Sequence, residues 1–511
     1  MRLSRLAPLL APTHPPALGA DPEIAAVHHR AQDVTPGSLF VAVAGFVADG
    51  HTFVPEAERR GAAAVVVQRP VAAGVPVIQV ADSRRALSRA AAEIWGRPSE
   101  QMVLVGITGT NGKTTVTYLL EAILTAVGAR VGVIGTVNYR YGGVVRPAPH
   151  TTPESSELQH ILAEMRDAGT THVVMEVASH ALALHRVDDC RFDVGVFTNL
   201  TQDHLDFHGD MATYWEAKRR LFTELLAEGP KAHLARAVIN TDDPRGPELL
   251  AACRVPALAV GTGSACTVRA RASFQGLEGL AGHIETPAGG LDFLSPLVGA
   301  HNLANILSAA GVATALALPL EALSAGIVAA RRIPGRLERV PDPRGERTVF
   351  VDYAHTPDAL QNVLTALRQV GPRRLICLFG CGGDRDRAKR PLMGAIAGRL
   401  ADICLVTSDN PRSEDPEAII AEILPGLEQA GAQAWDAGAP GAIPAGSYTV
   451  LPDRRAAIRR AVTLARPGDA VLLAGKGHEA YQIVGSRRLP FDDVEEAAAA
   501  LDQTAPAGGG A

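Results

Sequence analysis

The residues Val105-Gly-Ile-Thr-Gly-Thr-Asn-Gly-Lys-Thr-Thr115 bring three glycines, a lysine and four hydroxyls together within a few positions. Such a set suits a nucleoside triphosphate. The backbone N–H groups of a glycine loop point inward, a helix N-terminus favours an anion, and a lysine reaches the terminal phosphates. The spacing differs from GxxxxGK[ST], because Ile107 stands where the first glycine of that pattern belongs and the glycines fall at Gly109 and Gly112. A glycine turn before an ordinary helix needs no Lys-Thr-Thr after it. Gly109, Thr110, Asn111, Gly112, Lys113, Thr114 and Thr115 are therefore read as an ATP cradle.

A second group of residues could read a carboxylate and an amine. Arg385 lies in Gly380-Cys-Gly-Gly-Asp-Arg-Asp386, Arg412 ends Ser408-Asp409-Asn410-Pro411-Arg412, and Glu479 ends Gly475-Lys-Gly-His-Glu479. Each segment follows an apolar strand-like run, the end of an α/β sheet where ligands bind. Arginine grips a carboxylate as a planar fork and a glutamate can hold an ammonium. Taken alone, Asp-Asn-Pro is ordinary turn punctuation. Lysine usage adds weight: only Lys113, Lys218, Lys231, Lys389 and Lys476 occur among 49 basic residues, and three of these five fall in the motifs discussed here. A lysine kept where arginine is preferred suggests a compact or titratable amine.

Positioning these groups takes alternating strands and helices. Val103–Ile107 reads as a buried strand, and Leu119, Leu120, Ile123, Leu124 and Val127 recur at helical spacing after the loop. Before it, runs at 39–43, 64–67 and 77–80 alternate with helical pieces at 55–60 and 84–94, a small separate α/β domain. After it, runs at 131–134, 172–177, 194–198 and 237–240 alternate with helices, the mark of a mostly parallel sheet. A β-rich insert (255–298) and helices (302–330) lead to Pro334-Gly335, then further α/β units with strands at 348–351, 375–379, 403–406 and 470–473. The ending EAAAALDQTAPAGGGA is a low-complexity tail.

Bulk composition narrows the class. At 511 residues the chain has room for about three domains. A net charge of −5 argues against nucleic acid as a partner. Six cysteines without a CxxC pair read as reduced, cytosolic thiols. No apolar run approaches the ~18 residues of a membrane span. The proline-interrupted opening MRLSRLAPLLAPTHPPALG reads as a structured leader rather than a signal peptide.

The T-G-T-N-G-K-T-T loop resembles the nucleotide loop of the Mur ligase family, and further motifs follow in family order along nearly the whole chain. The resemblance implies an ATP- and Mg²⁺-dependent amide ligase that activates a carboxylate as an acyl phosphate, which an amine then attacks. It implies three domains: 1–98 for the UDP-substrate, 99–332 for ATP and 333–511 for the amino acid. The fold would be α/β throughout, with a small N-terminal domain, a central P-loop-type mostly parallel sheet and a Rossmann-like C-terminal domain. Asp409-Asn410-Pro411-Arg412 resembles the family segment that marks diaminopimelate-adding members, so the expected substrates are UDP-N-acetylmuramoyl-L-alanyl-D-glutamate and diaminopimelate. The expected setting is a cytoplasmic monomer in cell-wall precursor synthesis, with no nucleic-acid or membrane partner.

Residue roles carried over from the resemblance are as follows. Thr114, Glu176 and His204, with Lys218 as a carbamate, would hold Mg²⁺; without the family, His204 reads as a structural hydrogen-bonder and Lys218 as a solvated lysine on an amphipathic helix. Val27, His29, Thr151, Thr152, Ser179 and Arg186 would grip the UDP-substrate. This chain has His28-His29-Arg30 where the family has Asp-Ser-Arg, His150 before Thr151-Thr152 where it often has Asn, and Ala178 in place of a serine. His301, Asn302, Asn305, Arg336 and Asp352 would lie by the nucleotide, although Asn302 could equally be a helix N-cap. Arg385, Asp409, Asn410, Pro411, Arg412, Gly475 and Glu479 would bind diaminopimelate. Two rivals are a folylpolyglutamate synthase-type ligase and, from another class, a P-loop motor or switch ATPase.

Overall fold

The computed structural model describes residues 1–15, 19–436 and 443–503. The end of the low-complexity tail, from residue 504, lies outside them. The chain forms two compact units. The first comprises Met1–Ala270, Ile284–Leu291 and Ala304–Gly326; the second comprises Arg271–His283, Asp292–Leu303 and Ile327–Ala511.

The first unit opens on a small parallel sheet of four described strands, Ala26–His28, Ser38–Val41, Ala62–Val67 and Val77–Gln79, in chain order. Period-two alternation sorts its side chains into two cores. Leu39, Val41, Ala64 and Val66 pack with Ala86, Leu87, Ala90 and Ala91 of the helix Ser83–Ile94. Phe40, Val65 and Val67 pack with Val54 and Ala57 of the helix Val54–Arg59. Asp82 starts the longer helix by accepting from the backbone N–H groups of Arg84 and Arg85. Leu3, Leu6, Ala7 and Leu10 of the opening segment are buried in the first of these cores.

The same unit carries the centre of the large sheet, which has eleven strands among the described residues. Its centre is parallel, in the order Ala257–Gly261, Arg236–Asn240, Val194–Phe197, Val103–Thr108, His172–Glu176 and Val131–Ile134. An antiparallel hairpin, Asn138–Tyr141 and Val144–Pro147, extends one edge. The strands Val268–Gly276, Gly279–Thr286 and Gly289–Ser295 extend the other and are divided between the units. Three neighbouring parallel strands therefore end side by side at Thr108, Phe197 and Glu176, which sets the phosphate-loop motif beside Asn199 and Ser179.

In the second unit seven described strands form one sheet: Glu338–Val340, Thr348–Asp352, Ala470–Ala474, Leu375–Phe379, Ile403–Val406, Ser447–Val450 and Gln433–Ala434. Only the pairing of Glu338–Val340 is antiparallel. The helices Pro357–Val370, Lys389–Leu400 and Pro416–Gln429 cover one face, while Arg454–Leu464 and Asp493–Gln503 cover the other. Arg454 and Asp493, both fully buried, join the last two helices through two hydrogen bonds of 2.8 and 2.6 Å. The loops after Asp352, Phe379, Val406 and Ala474 leave four adjacent strands at the same end, and they carry the motifs read from the sequence. Among the described residues no helix is long and apolar enough to cross a membrane, and all six cysteines are free thiols.

Candidate active site

The phosphate-loop motif of the first unit runs from the strand Val103–Thr108 to the helix Lys113–Ala126. Its two glycines are demanded by conformation and space together. Gly109 has φ +148° and Gly112 φ +88°, and a Cβ would overlap Thr198 Oγ1 at the first and Asn305 Oδ1 at the second. The neighbouring strand end braces the loop. Thr110 N–H donates to Asn199 O at 2.9 Å, Asn111 N–H donates to Asn199 Oδ1 at 2.9 Å, and Thr198 Oγ1 donates to Asn111 O at 2.6 Å. The sequence reading did not single out Thr198 and Asn199, although their place directly after the apolar strand Val194–Phe197 was a signal for them.

Lys113 Nζ donates to the carbonyls of Gly109 and Thr110, each at 2.8 Å. Lys218 reaches the same place from the helix Met211–Thr223, donating to Gly109 O at 2.8 Å, with its Nζ 4.5 Å from the centre of the Tyr214 ring. It is 1% exposed, so the alternative of a solvated surface lysine is corrected. The helix face supplies the reason: Tyr214, Trp215, Leu221 and Phe222, at helical spacing around Lys218, are all buried. Burial first, and the neighbouring Lys113 second, hold the Lys218 ammonium well below its ordinary range.

Glu176, 1% exposed at the end of its strand, accepts from Thr114 Oγ1 at 3.0 Å, Thr136 N–H at 2.9 Å and Thr136 Oγ1 at 3.0 Å. Thr136 Oγ1 lies 3.1 Å from Thr151 Oγ1, and Thr152 Oγ1 donates to Glu176 O at 2.8 Å. Arg186 donates to Thr152 O and pairs with Glu154 at 3.2 Å. Ser179 Oγ lies 2.9 Å from His208 Nε2. Around it His180 meets His204 edge-on, with ring centres 4.8 Å apart, and burial together with the neighbouring histidines pushes His180 down to about 4. His204 sits at φ +53° beside Asp203, 3.4 Å away. His29 Nδ1 lies 3.2 Å from Ser156 Oγ, whereas the Val27 side chain is buried in the small-sheet core, leaving its backbone as the part able to meet a ligand. Among the described residues no three His, Cys, Asp or Glu side chains form a metal cage.

The second unit holds the remaining residues. Asn302 lies within the helix Ala300–Ala315 rather than capping it, and donates to Val298 O at 2.8 Å. Arg336 lies 5.5 Å over the Tyr353 ring, and Tyr353 contacts His355 and His478. Burial lifts the Asp352 carboxyl to about 6, against the pull of Arg336, and Asp352 accepts from Leu337 N–H at 2.7 Å.

The Asp409–Arg412 turn and the Gly475–Glu479 loop interlock in this unit. Asn410 Nδ2 donates to Glu479 Oε2 at 2.8 Å, while Asn410 Oδ1 accepts from Lys476 Nζ at 3.1 Å and Ile483 N–H at 2.9 Å. Fully buried Lys476 lies 3.5 Å from Asp409 and 3.6 Å from Glu479. The sequence reading placed Lys476 in a motif without giving it a role; its role is to bind this loop pair. Arg412, at φ +52°, donates to Gly383 O at 2.7 Å, and exposed Arg385 donates to Asp384 O at 3.1 Å. Both guanidinium groups thus rest on adjacent carbonyls of one loop and keep further N–H groups, enough for carboxylate recognition.

Three family descriptions match successive segments: "Mur ligase family, catalytic domain" at residues 23–95, "Mur ligase middle domain" at 107–313 and "Mur ligase, glutamate ligase domain" at 335–477. A curated relative from Geobacter metallireducens, UDP-N-acetylmuramoyl-L-alanyl-D-glutamate–2,6-diaminopimelate ligase, is 50% identical over 493 residues, 96% of each chain. A solved structure of a ligase with the same name matches with TM-score 0.67 and 31% identity, covering 94% of this chain and 95% of that one. The structure of MurF ligase from Thermotoga maritima in complex with ADP shares the fold, with TM-score 0.61 and 20% identity, over 94% of this chain and 98% of that one.

Proposed function

The chain belongs to the Mur ligase family, and from that premise we propose how its residues divide the work of an ATP-dependent ligase. The reaction joins 2,6-diaminopimelate to UDP-N-acetylmuramoyl-L-alanyl-D-glutamate. An oxygen of the glutamyl carboxylate attacks the γ-phosphorus of ATP, and ADP leaves. The diaminopimelate amine then attacks the acyl carbon, phosphate leaves with the C–O bonding pair, and the amine's proton goes to solvent. Catalysis of this kind is mainly positioning and charge neutralisation. Domains at 1–98, 99–332 and 333–511, serving the UDP-substrate, ATP and the amino acid in turn, belong to the same reading.

Gly109 to Thr115 cradle the phosphates through backbone N–H groups, and Lys113 neutralises the β/γ end. His301, Asn302, Asn305, Arg336 and Asp352 serve the nucleotide. His29, Thr151, Thr152, Ser179, Arg186 and the Val27 backbone serve the UDP-substrate. A buried amine with a lowered pKa gives up its proton more readily than a solvated lysine, so the Lys218 nitrogen can add to CO₂, forming an N–C bond and releasing a proton to give a carbamate anion. Thr114, Glu176 and that carbamate are the hard oxygen donors Mg²⁺ prefers, with waters completing the shell; His204, a nitrogen donor, fits least well. When bound, Mg²⁺ supplies charge neutralisation at the phosphate oxygens.

The observation that carries the choice of amino acid is the pair Arg385 and Arg412 on adjacent carbonyls, with Glu479 fixed to Asn410 in the same loop cluster. The arginines read the distal carboxylate of diaminopimelate and Glu479 its ammonium. Lysine lacks that carboxylate, and a site built around a missing polar group rejects such an analogue by roughly 10⁴–10⁵. The test is ADP release with the nucleotide dipeptide and each amino acid in turn. Diaminopimelate should raise it strongly and L-lysine hardly at all. Equal turnover with lysine would overturn the amino-acid assignment, and turnover with folate and glutamate instead would overturn the substrate pair.

A further inference from the structure

Behind the two arginines lies a chain of polar contacts to which the ligation chemistry gives no role. Arg390, on the helix Lys389–Leu400, is 0% exposed. Its Nη1 and Nη2 donate to the two Glu414 oxygens at 3.0 and 2.8 Å, Nη1 also donates to Glu422 Oε2 at 2.8 Å, and Nη2 donates to Gly382 O at 3.3 Å. Glu414 lies two residues after Arg412 and accepts from Asp384 N–H at 2.6 Å. Asp384 in turn accepts from Ser413 Oγ at 2.6 Å and Ser413 N–H at 3.1 Å. Gly383 N–H donates to Asn410 O at 2.9 Å. The two residues flanked by this network, Asp384 and Arg412, both have φ +52°, a region that non-glycine residues seldom occupy.

Arg412 is also held by its own backbone, which donates to Ile483 O and accepts from Gly485 N–H. Between the two loops, beside the Ser413–Asp384 and Gly383–Asn410 bonds, Glu414 makes the charged link. It belongs to the Arg412 loop, bonds the Asp384 backbone of the Arg385 loop, and is itself held by a buried guanidinium. Bidentate charge-assisted bonds of this kind fix direction as well as distance. The carbonyls of Gly383 and Asp384 are the ones on which Arg412 and Arg385 rest, so the bonds that join the two loops lie directly behind the two guanidinium groups.

We propose that Arg390, Glu414, Asp384 and Ser413 form a latch between the two loops whose function is to fix the separation of Arg385 and Arg412, so that these read the distal carboxylate of the incoming amino acid together. The inference rests on the reading of those arginines as the carboxylate readers. Glu414 and Arg390 are positioning residues, since they bond loops and other side chains rather than substrate.

The experiment compares wild type with Glu414→Gln, Ser413→Ala and Asp384→Ala, measuring kcat and the three KM values for ATP, nucleotide dipeptide and amino acid. Wild type is assayed first. If it does not use diaminopimelate, the substrate reading fails, and the latch is then tested on the amino acid it does use. Glu414→Gln should raise the amino-acid KM about tenfold or more, with kcat and the other two KM values within about threefold, and should narrow the preference for diaminopimelate over lysine. Ser413→Ala and Asp384→Ala should do the same more weakly, about threefold. If Glu414→Gln fails to fold, the Ser413 and Asp384 variants decide, because both positions are exposed. An unchanged amino-acid KM in folded variants, or a parallel rise in all three KM values, would overturn the latch.

Discussion

At the scale of single residues, Lys218 shows the sharpest conflict between a side chain and its surroundings. Its ammonium is taken out of water with Lys113 nearby, and it donates to a carbonyl rather than to a carboxylate. The amine therefore binds its proton less tightly folded than unfolded. The unfolded chain takes up more protons below the ordinary lysine pKa of ~10.4, so this residue opposes folding at neutral pH and opposes it less as pH rises toward that value. In CO₂-free buffer, Lys218→Met is expected to melt at or above the wild-type temperature at pH 7, with the gain fading toward pH 10, and to lack ligation activity. Lys218→Ala should lose about 10³-fold or more in ligation and regain part of it when acetate or propionate fills the vacated space. A drop of more than roughly 5 °C in the Lys218→Met midpoint, or a fully active Lys218→Ala enzyme, would return Lys218 to a structural role. The burial was legible in principle. Tyr214, Trp215, Lys218, Leu221 and Phe222 share one helical face, but a lysine type suggests solvent and outweighed the spacing in the bare reading. Residue motifs were readable because glycine, lysine and arginine answer to fixed geometric needs. The bracing by Thr198 and Asn199 was signalled only by their place after an apolar strand, because what a hydroxyl or amide bonds depends on which strands pair.

Elements were read most accurately where an apolar run marked a buried strand. The strands at 131–134, 375–379 and 403–406 have the expected bounds, and most others differ by one or two residues. The hairpins Asn138–Tyr141/Val144–Pro147 and Tyr481–Val484/Arg487–Pro490 were not foreseen. Their burial explains this, since Val144–Pro147 is exposed throughout and the last hairpin has no fully buried residue, while the alternation of Tyr139 and Tyr141 in Asn138–Tyr141 is only four residues long. What fixes the helix bearing Lys218 against the turn bearing Ser179 is Arg220, which donates to Asp188 at 2.7 and 2.6 Å and to Leu182 O at 2.7 Å. Burial alone would raise the Asp188 carboxyl, but His185 and Arg220 outweigh it and bring it to about 2. A depressed folded pKa stabilises above the unfolded value of ~3.9 and loses that contribution as pH falls toward 2. Arg220→Ala is expected to cost about 2–4 kcal/mol at pH 7, since it strands a mostly buried carboxylate. The same difference, taken from urea midpoints, should hold from pH 8 to 5 and shrink below pH 4. A cost that stays constant down to pH 2.5 would show that lost packing, rather than the ion pair, sets it.

For the whole molecule, a boundary drawn at residue 333 is informative because the second unit does not begin there. Its core includes Val298, 1% exposed, with Leu277 packed against it, among Leu360, Leu364 and Leu367 of the helix Pro357–Val370. Arg339 reaches back to Glu278 at 2.7 and 3.0 Å. These contacts come from the segments 271–283 and 292–303, which precede the Pro334-Gly335 punctuation in sequence yet belong to the second unit. Turn residues mark where a chain bends, not where a core closes, and a β-rich insert gives no sign of which sheet or helix it will cover. That is why the alternation of strands and helices was legible but the interleaving of segments was not. An isolated fragment 333–511 should therefore fold with apolar surface uncovered on the helix Pro357–Val370. Losing one fully buried valine costs about 1.5–3 kcal/mol, so its urea midpoint should fall clearly below that of the second-unit transition in the intact chain, and the fragment should bind a hydrophobic dye that the intact chain does not. Val298→Ala in the intact chain is the matching single-site test, expected to destabilise by about 1–3 kcal/mol from burial and cavity together. A fragment that unfolds at the intact midpoint, alongside a neutral Val298→Ala, would mean that residues 333–511 close their own core and that the earlier segments only lie upon it.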